Sequence, residues 1–160
     1  MSRSDPRPVP EQRGDYALLE RITTRWSDND SYRHVNNVVY YSYFDTAVNR
    51  MLIAAGLLDI EKSDVIGLVA ETRCFFFKPL SFPDDVWSGL RVAHLGRSSI
   101  RYDIGLFREG DETASAQGYF IQVVIDRATG APVEMPASRR RHLKSLMRPL
   151  PPEMNVGEPG

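Results

Sequence analysis

The chain has 160 residues, a mass of 18.2 kDa and 42% hydrophobic residues, which suits one domain with a buried core and leaves little room for a second. Its formal net charge of −1 gives no reason to expect nucleic acid or a membrane surface as a partner. The single cysteine, Cys74, excludes an internal disulfide, and no apolar run is long enough for a membrane span or a secretion signal. We therefore expect a cytoplasmic protein.

Both ends of the chain are polar and contain proline. The first segment, residues 1–14, reads MSRSDPRPVPEQRG, and the last, residues 149–160, reads PLPPEMNVGEPG. Such segments bury too little apolar surface to offset the entropy of ordering them. We predict two disordered tails around one folded domain at residues 15–148.

The first predicted element is a strand over residues 16–26, followed by a polar loop that contains Asp28, Asp30 and His34. Alternation places three apolar residues on one side of this strand: Leu18, Ile22 and Trp26. Asp28 is expected to hold the loop through backbone amides. Asp30 stands shortly before a helix, whose unpaired N–H groups and partial positive charge can hold a developing oxyanion. A carboxylate at that position can attack a carbonyl carbon or direct water at it, which makes Asp30 a candidate catalytic residue.

A long helix is predicted over residues 38–55 from its apolar periodicity. The residues expected on its buried face are Tyr40, Phe44, Ala47, Met51 and Ala54. Asn36 or Asn37 can cap the start of the helix, and Gly56 stands where a helix stop is expected.

Four further strands follow, joined by tight turns, over residues 65–77, 86–95, 98–107 and 113–126. Gly96 and Arg97 form one of these turns. Cys74, beside three phenylalanines, is expected to be a packed thiol. A short basic helix follows Pro136, with its charged residues, Arg139 among them, mostly on solvated faces.

This order of elements predicts an α+β fold, because a helix followed by antiparallel strands must bury its apolar face against their sheet. A single such layer leaves the opposite sheet face open. Copies of the same chain would be the natural cover, so we expect a homodimer or homotetramer.

Four motifs in the same order resemble those of the hotdog-fold acyl-CoA thioesterases of the 4-hydroxybenzoyl-CoA thioesterase type. They are DNDSYRHVNNVVYYSYFD, FFFKPLSFPDDVW, HLGRSSIRYDI and VVIDRATGAPVEMP, and the likeness covers residues 16–147. The resemblance implies a long central helix wrapped by a curved antiparallel sheet of five strands. It also implies a dimer or tetramer with its sites between subunits.

The same resemblance implies roles for the loop residues. Asp30 would be the catalytic carboxylate residue, and the backbone N–H near Asn37 would polarise the thioester carbonyl. Some relatives carry a histidine at the position of Asn37, and this chain departs from them there. The acyl-carrier-protein thioesterases of plants share a similar D-x-x-x-H-V-N-N run, which would give His34 a catalytic role. They usually have asparagine where this chain has Tyr32.

The resemblance also suggests residues that contact the substrate. Arg97, Ser98 and Ser99 would lie along pantetheine, with Arg97 near a coenzyme A phosphate. Lys78 and Arg101 are further candidates for a phosphate contact, and each of these charges is otherwise an ordinary surface group. Two more candidates for substrate contact are Asn36, also a helix cap, and Tyr40, which would line an acyl pocket or lie in the core.

We expect no metal and no cofactor. A calcium loop of the EF-hand kind would need an oxygen ligand at Tyr32, glycine at Arg33 and glutamate at Val39, and none is present. The chain also lacks a nucleophile elbow, a dinucleotide glycine fingerprint and a P-loop, which argues against serine and nucleotide hydrolases.

The sequence therefore predicts an enzyme that hydrolyses acyl-CoA to a free acid and coenzyme A. Asp30 would act either as nucleophile, through a mixed anhydride, or as general base toward water, and both routes require it ionised. Two alternatives stay open on the same fold. One is a non-catalytic protein that binds acyl-CoA or an acyl carrier. The other is a hotdog enoyl-CoA hydratase, although those usually carry a proline-containing loop after the acid.

Overall fold

The computed structural model describes residues 7–148, which form a five-stranded antiparallel sheet with a long helix packed on it. The strands are β1 (Leu18–Ile22), β2 (Val65–Phe76), β3 (Val86–Leu95), β4 (Ser99–Arg108) and β5 (Ala116–Asp126), in the spatial order β1-β3-β4-β5-β2. The helices are α1 (Asn37–Ala54) and α2 (Ala137–Ser145). The α+β prediction is confirmed. No helix within the described residues has the length and apolarity needed to cross a membrane.

Helix α1 begins and ends one residue earlier than the sequence predicts. The side chain of Asn36 accepts a hydrogen bond from the Val38 N–H at 3.0 Å, and Gly56 follows the helix with φ of 71°. Its buried residues are Tyr40, Tyr43, Phe44, Ala47, Val48, Met51 and Leu52. Ala54, predicted on this face, is exposed because it lies in the last turn, beyond the edge of the sheet contact.

The core lies between α1 and the central strands. Phe44 of α1 meets Phe120 of β5 edge to face at 5.7 Å, and Leu90, Ile104 and Val124 are almost completely buried. Each such side chain contributes roughly 1.5–3 kcal/mol by leaving water. The edge strand β2 is different, since its middle residues are exposed and its pairing with β5 shifts between Val69 and Glu71.

The first strand is shorter than predicted. It ends at Ile22, and Trp26 begins a short 3₁₀ turn in which its ring is 82% exposed. The turn forms because the Asp28 carboxylate accepts the Arg25 N–H at 2.8 Å and draws the chain away from the sheet. The prediction that Trp26 shares a face with Leu18 and Ile22 is therefore wrong.

The folded part also begins earlier than residue 15. Glu11 is buried, and both of its carboxylate oxygens accept hydrogen bonds from Arg91, a fully buried side chain of β3. Arg91 also donates to Asp103 at 3.0 Å, so a strand-to-strand ion pair fixes the N-terminal segment on the sheet. Residues 7–14 thus lie within the folded domain instead of the predicted tail. The remaining tail residues, 1–6 and 149–160, lie outside the described residues.

Candidate active site

Asp30 lies in a tight loop that its own carboxylate helps to close. Its Oδ1 accepts the backbone N–H of Tyr32 at 2.8 Å and that of His34 at 3.4 Å. Its backbone N–H donates to the His34 carbonyl at 2.8 Å, and Arg33 takes a left-handed conformation with φ of 64°. The second carboxylate oxygen, Oδ2, accepts no hydrogen bond from residues 7–148. The loop thus holds one oxygen of Asp30 and leaves the other free to react.

The start of α1 presents, beside this loop, a backbone amide that no described residue pairs with. The Val38 N–H is capped by the Asn36 side chain, and the Val39 N–H donates to the Asn36 carbonyl at 2.9 Å. Within residues 7–148 the Asn37 N–H, at the first helical position, has no acceptor. The Asn36 N–H donates to the Asp28 carbonyl at 2.9 Å, which ties the helix start to the loop. Within the described part of the chain, one short segment therefore holds a carboxylate oxygen and a helix-terminal N–H that both lack a hydrogen-bond partner.

Asp28 stabilises the loop from its buried side. It is buried, and it accepts hydrogen bonds from the Tyr43 hydroxyl at 2.7 Å and from the Arg25 amide at 2.8 Å, with an ion pair to the Arg25 guanidinium at 3.0 Å. Burial alone would raise the pKa of Asp28, but these hydrogen bonds outweigh it and hold the pKa below its usual value. Burial and the same carboxylate raise the pKa of Tyr43 strongly. The sequence predicted a structural Asp28, whereas the role of Tyr43 was missed.

His34 and Tyr40 have different surroundings from Asp30. The His34 side chain is exposed, and only its backbone bonds to Asp30. Tyr40 is buried, its hydroxyl accepts the Leu80 N–H at 3.2 Å, and its ring meets Phe76 edge to face at 4.9 Å. Tyr40 thus lies in the core beneath the helix start, where it helps to fix the segment around Leu80.

The predicted coenzyme A contacts lie elsewhere in the same chain. Arg97, Ser98 and Ser99 lie at the turn between β3 and β4, at the far end of β3 from the Asp30 loop, which packs on Leu80 and Phe82. A ten-residue strand spans roughly 33 Å, so one chain does not bring the two groups together.

The other two phosphate candidates are already engaged. Lys78 bonds to Asp111 and to the Thr113 hydroxyl, both at 3.2 Å, and the Arg101 Nε donates to Asp103 at 2.9 Å. Of the candidate cations, Arg97 alone has no side-chain partner among residues 7–148. Across the same residues, no group of three or more His, Cys, Asp or Glu side chains is placed to hold a metal ion.

The five-stranded antiparallel sheet with one long helix packed on it is the architecture of a thioesterase-like protein. Residues 24–144 match the Thioesterase-like superfamily, and the chain belongs to that family. The fold is the hotdog fold of its members, as the sequence predicts.

Solved structures show the same likeness over almost their full length. The PA5185 protein of Pseudomonas aeruginosa strain PAO1 is 47% identical, with a TM-score of 0.85 over 87% of this chain and 97% of that one. A thioesterase of Thermus thermophilus, complexed with coenzyme A and zinc, is 28% identical, with a TM-score of 0.68 over 82% of this chain and 95% of that one. The BH1999 gentisyl-coenzyme A thioesterase is 22% identical, with a TM-score of 0.71 over 79% of this chain and 99% of that one. At this identity it supports the fold alone. A search of curated proteins finds no match.

Proposed function

We propose that the protein is an acyl-CoA thioesterase of the 4-hydroxybenzoyl-CoA thioesterase type, with Asp30 as its catalytic carboxylate. The observation that carries the proposal is the loop geometry, in which Asp30 Oδ2 and the Asn37 N–H are both free, within the described residues, at the start of α1. Membership of the Thioesterase-like superfamily supports hydrolysis, and the coenzyme A bound to the Thermus relative supports that carrier.

The reaction transfers the acyl group from sulfur to oxygen. By the nucleophilic route, Asp30 Oδ2 bonds to the thioester carbonyl carbon, the C–S bond breaks and coenzyme A leaves as its thiolate. Water then opens the mixed anhydride to give the free acid. By the general-base route, Asp30 takes a proton from water while the water oxygen attacks the same carbon, the C–S bond then breaks, and the coenzyme A thiolate that leaves takes up the proton. In both routes the Asn37 N–H donates to the carbonyl oxygen as negative charge develops on it.

The remaining site residues have supporting roles in this proposal. His34 positions the Asp30 carboxylate through its backbone N–H. Asn36 orients the start of α1 by capping it, and Tyr40 packs in the core beneath that start. The reaction needs no metal and no redox cofactor, and a reducing, cytoplasmic setting fits the single free thiol of Cys74.

A second copy of the chain completes the site. Arg97, Ser98 and Ser99 lie too far from Asp30 within one chain, so in a homodimer or homotetramer they would contact coenzyme A bound at the Asp30 of a neighbouring subunit. The outer edge of β2 supports such an assembly, since within residues 7–148 its middle backbone groups have no partner on that side, and only the Phe76 carbonyl, near its end, accepts from the Arg7 guanidinium.

Replacement of Asp30 by asparagine tests the catalytic role. The side-chain carbonyl of the introduced asparagine still accepts the two loop amides, so the loop and the fold should be kept, whereas an amide neither attacks a thioester nor accepts a proton from water. We expect kcat in a thiol-release assay with short, long and aryl acyl-CoAs to fall by about 10²–10⁴. The melting temperature and the assembly mass should be unchanged.

Asp64→Asn is the matched control, because Asp64 is exposed and its side chain has no partner among the described residues. Full activity in Asp30→Asn would reject the catalytic assignment. Tight acyl-CoA binding without thiol release by the native protein would favour a non-catalytic binding role, and hydration of an enoyl-CoA would favour a hydratase.

A further inference from the structure

A cavity of about 220 Å³ lies at the end of α1 opposite to the Asp30 loop. Its apolar walls come from the last turns of α1, the loop that follows and the start of β2, through Leu52, Leu58, Ile60 and Ile66. Among residues 7–148, no acidic side chain lines it. An apolar cavity of about 150 Å³ is large enough to admit benzene, so this one has room for a single ring or a short alkyl chain with a polar group.

A buried arginine lies at the inner wall of this cavity. Arg139 of α2 is 2% exposed, and its Nη2 donates to the Leu57 carbonyl at 2.9 Å. Its Nε and Nη1 are buried and have no hydrogen-bond partner among residues 7–148. The expectation that Arg139 lies on a solvated face is therefore wrong, because α2 turns this residue toward the sheet. A buried guanidinium keeps its charge in practice, so its position favours an anionic partner.

Two further buried polar groups near Arg139 also lack partners within the described part of the chain. Gln122 Oε1 lies against the backbone of β2 at Gly67, where an added Cβ would come within 2.7 Å of it. A half-turn of this amide would present its N–H groups to a ligand instead. The Tyr102 hydroxyl is buried and unpaired as well. Burial raises the pKa of Tyr102, and the positive charge of Arg139 partly opposes that rise.

A second arginine stands at the edge of the cavity. Arg127 is exposed and donates to the Ile60 carbonyl at 2.7 Å and to the Glu61 carbonyl at 3.2 Å, so it holds the loop that forms part of the wall. The charged groups that the described residues contribute to the lining are thus both positive, and the rest of that lining is neutral. Such an environment attracts an anion and rejects a cation.

We propose that this cavity binds a small monocarboxylate with an apolar tail, of the size of benzoate or hexanoate. The carboxylate accepts a hydrogen bond from Nε or from Nη1 of Arg139, the two guanidinium nitrogens without a partner among residues 7–148, and the tail lies among Leu52, Leu58 and Ile66. Free acids of this class are also what thioester hydrolysis releases, but the site does not depend on that activity, since Asp30 lies at the other end of α1.

The test compares charged and neutral ligands of the same shape on the full chain. In calorimetry, benzoate and hexanoate should bind the native protein saturably, whereas benzamide and hexanamide should bind at least about tenfold more weakly, because a neutral amide lacks the charge-assisted hydrogen bonds. Equal binding of acid and amide, or no binding of the acids, overturns the proposal.

Variants locate the site. Arg139→Met should lower the affinity for benzoate at least about tenfold, while Arg141→Met, an exposed position on the same helix, should leave it unchanged. Leu58→Trp, which fills the cavity from its half-buried loop, should abolish binding and covers the case that Arg139→Met does not fold. Unchanged benzoate binding in a folded Arg139→Met or Leu58→Trp protein overturns the assignment. Asp30→Asn should bind benzoate normally, whether or not the proposed catalytic role holds.

Discussion

Two aspartates in the D-x-D loop have distinct environments, although they stand two residues apart. Asp28 is buried with both oxygens occupied by Arg25 and Tyr43, so it works as a structural anion. Asp30 is only partly buried, and one of its oxygens is free of partners from residues 7–148. The difference arises from the direction of each side chain, with Asp28 pointing toward α1 and Asp30 closing its own loop.

Removal of the Tyr43 hydroxyl should weaken the support of this loop. Tyr43→Phe deletes the 2.7 Å hydrogen bond to a buried carboxylate, and bonds to charged groups contribute about 1.5–3 kcal/mol. We expect a loss of that order in the free energy of unfolding, measured in urea at pH 7. Tyr41→Phe, on the same helix and with no hydroxyl partner in the described part of the chain, is the control and should change little.

The same variant should change the dependence of stability on pH. Because the folded pKa of Asp28 lies below its ordinary value of 3.8, its contribution is present above that value and is lost as pH falls through the folded pKa. The native protein should therefore lose stability in acid below about pH 4, and Tyr43→Phe should lose less over that range. An identical acid profile for the two proteins would contradict this account of Asp28.

At the residue scale, the sequence identified groups that act through local structure. Asp30, Asn36 and the free amide at Asn37 follow from the order of loop and helix, which short-range rules describe. The Glu11–Arg91 ion pair joins residues far apart in the chain, so no local pattern reveals it. The burial of Arg139 was not predicted for a related reason. A run of basic residues is normally solvated, and only the packing of α2 on the sheet shows that Arg139 is buried.

At the scale of elements, α1 carries the proposed catalytic amide, and its first turn depends on one side chain. Asn36→Ala should lower the free energy of unfolding by about 1 kcal/mol, because the Val38 N–H loses its acceptor. It should also lower kcat, since the frayed turn no longer holds the Asn37 N–H in place. Urea unfolding and the thiol-release assay measure the two effects. Asn36→Ser, which keeps a capping oxygen, should restore most of both, and a loss of kcat that serine leaves unrepaired would argue for direct substrate contact by Asn36.

Element boundaries were predictable where turn residues mark them. Strand β3 has the predicted bounds, because a turn closed by the Asp84 N–H on the Ser81 carbonyl precedes it and Gly96 follows it. Strand β5 was predicted from residue 113 but begins at Ala116. The reason lies outside the segment, since the Ala114 N–H donates to the Glu11 carbonyl at 2.8 Å and so pairs with the N-terminal segment.

At the scale of the whole molecule, the two edges of the sheet differ. Edge strand β1 has five residues, whereas edge strand β2 has twelve and exposes Leu68 and Val69 near its middle. A long edge with apolar residues is ready to pair with another strand. The sequence analysis predicted an oligomer because one face of the sheet is left uncovered. The structure adds that the β2 edge is where a second copy would pair.

A lysine in the middle of β2 should prevent that pairing. If two copies pair antiparallel through β2 about a two-fold axis near Val69, each Val69 lies near its counterpart, and Val69→Lys places like charges close together across the contact. We expect light scattering to give a multiple of 18.2 kDa for the native protein and a mass near 18.2 kDa for the variant. Thioesterase activity should fall with the mass, since Arg97 would no longer reach a neighbouring Asp30. Leu19→Lys, an exposed position on the opposite edge strand, should leave both mass and activity unchanged. A native protein that is monomeric and fully active would exclude a shared site.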